Sequence, residues 1–234
     1  MLAIYKKEMR TYFTTPLGYV FVAVFLAISG FIFGMSTYYS MTSDISSYFQ
    51  TMIFGYIVII PILTMRSFAE ERRTRTEQLL MTAPVSIVGI VMAKFLAAFT
   101  MFGGSVLVSC LYYLPMFGYG EPNVGKAVGG LIAMLLIGMS FIAVGLFVSS
   151  LTESAVTACI GTMGILAVFA GVSLFNSFID SYFIRYIFSW ISVYSRYNNF
   201  MFGVFDISAT VYYLSITAVF LFLSVRIYER RRYA

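Results

Sequence analysis

Three places in this sequence carry residue types that could do chemistry. The stretch "GEPNVGKA", Gly120 to Ala127, nearly spells the phosphate-cradling pattern G-x-x-x-x-G-K-[ST]. That pattern needs a terminal hydroxyl for magnesium and a strand leading into the glycine loop. Here Ala127 replaces the hydroxyl and no strand pattern precedes it, so the stretch reads as a Gly/Pro/Asn turn with no nucleotide site. Cys110 and Cys159 stand alone inside apolar runs, without metal-ligand spacing, and read as small packing residues. The third place is "MRSFAEERRTRTEQLLMTAPVS", residues 65–86, where seven charged side chains are pressed between two oily runs. They are Arg66, Glu70, Glu71, Arg72, Arg73, Arg75 and Glu77. Histidine is absent, which removes imidazole bases, Ser–His triads and the commonest zinc ligand together. An intramembrane enzyme would also lack a buried acid or Ser–Lys pair, so nucleophile and base are both missing.

The elements that hold these residues are membrane elements. The chain has 234 residues, 60% hydrophobic and 11% charged, with a mean hydropathy of +0.89. Soluble domains carry roughly 25% charged residues. Charge-free runs of about 20 residues suffice to cross a hydrocarbon layer roughly 30 Å thick. Six spans are expected, over residues 17–39, 48–65, 87–115, 127–150, 154–176 and 207–226. "SMTSDISS", "GYGEPNVGK" and "SSLTES" supply the breaks, with Ser154 placed to cap the following helix and Glu153 at its positive end. The chain is read as one transmembrane domain over 1–234, and the N-terminus as no cleaved signal, because its apolar run is too long.

Six spans put both termini and the 66–86 loop on one side. That side collects twelve of the fifteen Lys and Arg residues, and Lys126, Arg185 and Arg196 face the other. The positive-inside bias makes the basic side cytoplasmic, so a multi-pass protein of the cytoplasmic membrane is expected, with both termini inside. The basic residues flank apolar runs, which favours anionic lipid over nucleic acid as their counterpart. Residues 2–13, "LAIYKKEMRTYF", set Leu2, Tyr5, Met9, Tyr12 and Phe13 against Lys6, Lys7 and Arg10, the pattern of an interfacial helix within 1–16. Residues 178–194 repeat apolar pairs at helical spacing, interrupted by Asp180 and Arg185, and suit an outer-leaflet segment within 177–206.

Inside the spans, ionisable residues are almost absent. Lys94 is the exception, about two turns into the third span, where its stem is expected to snorkel to the cytoplasmic surface. Pro61 should bend the second span, and "GFIFG", Gly30 to Gly34, should admit a close helix neighbour. For the loop, Glu70 and Glu71 open a short helix, alternating charge follows, and Leu79, Leu80 and Met81 lead to a stop at Pro84. Two readings fit the loop: a solvated hairpin that obeys the charge rule, or a docking helix that meets a cytoplasmic partner.

The run "MRSFAEERRTRTEQLLMTAPVSIVGIVMAKFLAA" resembles the signature of ABC-2-type exporter permeases. Glu71, Arg72, Arg73, Thr76, Leu79, Leu80, Pro84, Ser86, Lys94 and Phe95 match its acidic–basic run, "GT-x-E-x-LL…P-[VI]-S" segment and Lys-Phe pair. "SSLTESAVTA" and the "YNNFMFGVFDISATVYYLSI" ending are similar to the same family, its gliding-motility and NosY-like subgroup in particular. Arg75 stands where the pattern has Gly, Gln78 where it has Glu, and Glu77 one place early. The resemblance implies an all-α polytopic fold of six transmembrane helices, an N-terminal elbow helix, a cytoplasmic coupling helix and outer-leaflet short helices before the last span. It implies that Glu70, Glu71, Arg72, Arg73, Arg75, Thr76, Glu77, Gln78, Leu79 and Leu80 couple the chain to a separate ATPase, which holds ATP and magnesium. This chain itself would bind no cofactor or metal. A second permease chain, identical or related, would complete an export pathway for a substrate that the Phe, Met and Tyr content suggests is apolar or amphipathic. A membrane scaffold that recruits a protein through 66–86 is the alternative.

Overall fold

Thr15 and Pro16 make the first corner. Proline has no N–H and disfavours a helical residue before it, so it opens one helix and closes another. Helix α1 (Leu2–Thr14) accordingly stops at Thr15, whose backbone is extended, and α2 (Pro16–Phe33) starts on the proline. Gly18 completes the corner, because a Cβ there would collide with the Tyr12 carbonyl. The protein's structure, a computed structural model, describes residues 1–39, 45–77, 85–118, 123–175, 193, 196–197, 200 and 205–232.

Three of the remaining helices start at a residue whose side chain caps them, Ser86, Asn123 and Asp206. After a π-helical turn at Gly34–Tyr38, α3 (Ser46–Thr64) runs through Pro61 and ends one turn later. A short α4 (Ala69–Arg73) follows. Helix α5 (Ile87–Ser109) is capped by Ser86, whose hydroxyl oxygen accepts the Gly89 N–H at 3.2 Å, and continues into a 3-10 helix, Cys110–Gly118. Helix α6 (Val124–Leu151) is capped by Asn123, which accepts the Lys126 N–H at 3.2 Å. The false phosphate motif thus ends in a helix cap, and the element before it is a 3-10 helix. Thr152, extended, separates α6 from α7 (Ala155–Phe175). Asp206 accepts the N–H groups of Ser208 and Ala209 at the head of α8 (Ile207–Arg232).

Five stretches are long and apolar enough to cross a membrane: Pro16–Thr37, Ser46–Arg73, Ile87–Leu114, Val124–Leu151 and Ile207–Arg232. Helix α7 adds a shorter apolar one. No strand occurs among the described residues. The expected all-α polytopic architecture is therefore present; the six helices start within three residues of the expected spans, and their ends differ from them by up to six. The amphipathic stretch at 178–194 falls, except for Val193, outside the described residues.

Helix α6 is the central post. Within its most apolar window 67% of residues are buried, against 28% for α2 and for α8. Its small residues allow this: Gly130, Gly138 and Gly145 recur at about two-turn spacing and receive Phe49, Phe102 and Thr64 of α3 and α5. Contact between helices in lipid depends on such close packing, since lipid tails are as apolar as the side chains. The "GFIFG" pair does not work this way, for Gly30 meets only the Tyr112 ring and nothing lies within 4 Å of a Cβ on Gly34.

Candidate functional site

At one end of the bundle, α1, α4, the α6–α7 turn and the end of α8 meet, and the charged block lies among them. Lys94 sits at the centre. It was expected to snorkel outward, yet it is 2% exposed. Its Nζ donates to Glu8 Oε1 at 3.0 Å and to the Ser67 carbonyl at 2.7 Å, and lies 2.9 Å from Glu71 Oε1. The Phe68 ring lies beneath it at 5.1 Å. The correction has a physical reason: an ammonium about two turns into the span needs counter-charges, and two carboxylates meet it before bulk water does. Lys7, on α1, approaches the same Glu71 oxygen at 3.3 Å.

Glu8 is the residue that sequence reading missed. The expected apolar face of α1 includes Leu2 and Phe13, but both are exposed, and Glu8 and Tyr12 are the buried pair. The signal was present in the spacing. Glu8 falls three residues after Tyr5 and four before Tyr12, on their face of the helix. Burial, then the negative charge of Glu8, pushes the Tyr12 phenol well above its ordinary pKa, so it stays neutral and donates to the Leu63 carbonyl. A cavity of about 260 Å³, lined by Glu8, Thr11, Glu71 and Lys94 together with Tyr12 and Leu63, opens along this seam between α1 and α4.

The other side of α4 is fixed to α6 and α8. Ser149, fully buried in the last turn of α6, accepts the N–H groups of Phe68 and Ala69 at 3.1 and 3.2 Å and donates to the Met65 carbonyl at 3.2 Å. One serine from another helix thus satisfies the orphan donors at the head of α4. Arg72 donates to the Leu151 carbonyl at 3.0 Å and to Glu153 at 2.8 Å. The Glu153 carboxylate, expected to serve the dipole of α7, is thereby also tied to α4. Arg231, in the tail, donates to the Ser150 carbonyl at 2.7 Å and lies 3.6 Å from Glu77, which is 3.9 Å from Arg72.

Of the ten loop residues, the seven that the structure describes separate, together with Arg66, into two groups. Glu71, Arg72 and Glu77 turn inward and bind the chain's own elements. Arg66, Glu70, Arg73, Arg75 and Thr76 lie toward the outside, with Glu70 between Arg66 at 3.7 Å and Arg73 at 3.6 Å. Gln78, Leu79 and Leu80 lie outside the described residues. The single helix expected from Glu70 toward Pro84 is interrupted. Helix α4 spans five residues and ends because Arg75 has a left-handed backbone, φ 56°. Its N–H donates to the Arg72 carbonyl at 3.1 Å, and the Thr76 hydroxyl reaches the Glu71 carbonyl, a helix stop normally made with glycine. An arginine held there costs about 1–3 kcal/mol of strain.

The described helices make a polytopic membrane protein whose polar end clamps a short charged helix between α3 and α5. The sequence assigns the lineage: residues 44–232 match the family described as ABC-2 family transporter protein, and the chain belongs to that family. It is an ABC-type permease subunit and a multi-pass membrane protein. The match begins after α1 and α2. No curated protein matches the chain.

Proposed function

We propose that the chain is the membrane half of an exporter, driven by ATP that a separate cytoplasmic ATPase hydrolyses with its own magnesium. A second permease chain, identical or related, completes the pathway, and the substrate is amphipathic. The observation that carries this reading is the mounting of α4. Hydrogen bonds and ion pairs from four elements (α1, α5, α6 and α8) converge on the segment 65–77, so a push on its outer face is transmitted to the bundle rather than absorbed by a loose loop. The loop's basic outer face and the twelve-to-three distribution of Lys and Arg support a cytoplasmic location for this end. The absence of a phosphate-binding motif from the sequence supports an external source of energy.

The test is purification of the chain from its native membrane. An ATPase should accompany it, and the chain alone should neither bind nor hydrolyse ATP. Cysteines at Asn123 and Asp206 should react with an impermeant thiol reagent applied outside intact cells, and one at Thr74 should not. Labelling of Thr74 from outside would overturn the orientation.

A further inference from the structure

We infer that Arg75 recognises a carboxylate on the protein that receives the α4 loop; this rests on the coupling role proposed above. The first observation is conformational. Arg75 occupies a left-handed backbone position, φ 56°, where glycine would be relaxed and an arginine is strained. Among the described residues no contact of its side chain requires an arginine there. The N–H that closes the helix end belongs to the backbone and would be present in glycine too.

The second observation is the disposition of charge. The acids of this end are consumed internally: Glu71 by Lys94 and Lys7, Glu77 by Arg72 and Arg231, Glu153 by Arg72. On the outer face Glu70 is shared by Arg66 and Arg73. Arg75 is exposed, and its guanidinium has no partner among the described residues. The face therefore presents surplus positive charge just past the end of α4, and a guanidinium there can grip a carboxylate with two parallel hydrogen bonds. Attraction to an anionic membrane would not need this position. Lys6, Arg10, Arg230 and Arg232 are exposed on unstrained helices and serve that purpose at any register.

The experiment uses the tagged chain extracted from its native membrane, with ATP turnover retained per chain measured over a salt series. Melting of the purified chain is followed in parallel. Arg75→Gly should melt at or above the wild-type temperature, because it removes strain, yet retain at least ten-fold less ATPase. Arg75→Lys should fall between, and Arg75→Glu should retain none. Retention by Arg75→Gly within two-fold of wild type would overturn the inference. So would a loss that disappears when the preparation is depleted of anionic lipid, which would assign the arginine to the membrane. If the wild type itself retains no ATPase, the proposed function fails first, and by a different result.

Discussion

Replacing Lys94 by Met separates two accounts of this residue by sign. A lysine that merely snorkels would cost the span free energy, and methionine, close in volume and apolar, would be neutral or stabilising. The structure demands the opposite. Nζ lies 2.9 and 3.0 Å from two carboxylates. At an effective dielectric constant of about 20, each attraction is on the order of 5–6 kcal/mol before desolvation. Desolvation cancels much of that in the intact cluster, but removing one partner exposes its cost. Glu8 and Glu71, only 12% and 13% exposed at their side chains, would keep only the half-exposed Lys7, at 4.0 and 3.3 Å, as a counter-ion. Breaking such a buried pair costs roughly 3–5 kcal/mol. The Ser67 carbonyl loses its donor as well. We expect Lys94→Met to lower the melting temperature in detergent by on the order of 10 °C. The double variant Lys94→Met/Glu71→Gln should recover part of that loss, with a coupling of about 0.5–3 kcal/mol. Limited proteolysis should find α1 loosened in the single variant. A Lys94→Met protein as stable as wild type would refute the buried-cluster account.

Other outcomes follow from the same contacts. Ser149→Ala removes the acceptor of two N–H groups at the head of α4 and should destabilise by about 1–3 kcal/mol, read as faster hydrogen exchange at Phe68 and Ala69. Arg231→Glu would be a mild surface change if the tail were solvated, but Arg231 binds Ser150 and faces Glu77, so it should weaken the chain measurably. Arg232→Glu, exposed on the same helix, should shift melting by less than about 0.5 kcal/mol. Gly138→Val places side-chain atoms against the Phe102 ring and should cost about 1–3 kcal/mol, or the α5–α6 contact altogether, seen as loss of the monodisperse peak in detergent.

The sequence by itself determined everything that rests on neighbours along the chain. Apolar run length set the membrane class, and the polar breaks "GYGEPNVGK" and "SSLTES" marked helix boundaries, at Asn123 and Thr152, through signals that act within about four residues. The asymmetric Lys and Arg distribution put both termini and the loop at one end, and the helices do meet there. The family signature marked the 66–86 block as the place to look. Tertiary structure alone decided which charges that block has left to offer. Lys94 and Glu8 are 86 residues apart, Phe68 and Ser149 81, and Arg231 and Ser150 81, and no periodicity or cap links them. A charge in a sequence shows only that it must be neutralised or solvated. Which of the two happens depends on what the folded bundle brings within about 3 Å, and here that turns Glu71, Arg72 and Glu77 inward and leaves Arg75 outside.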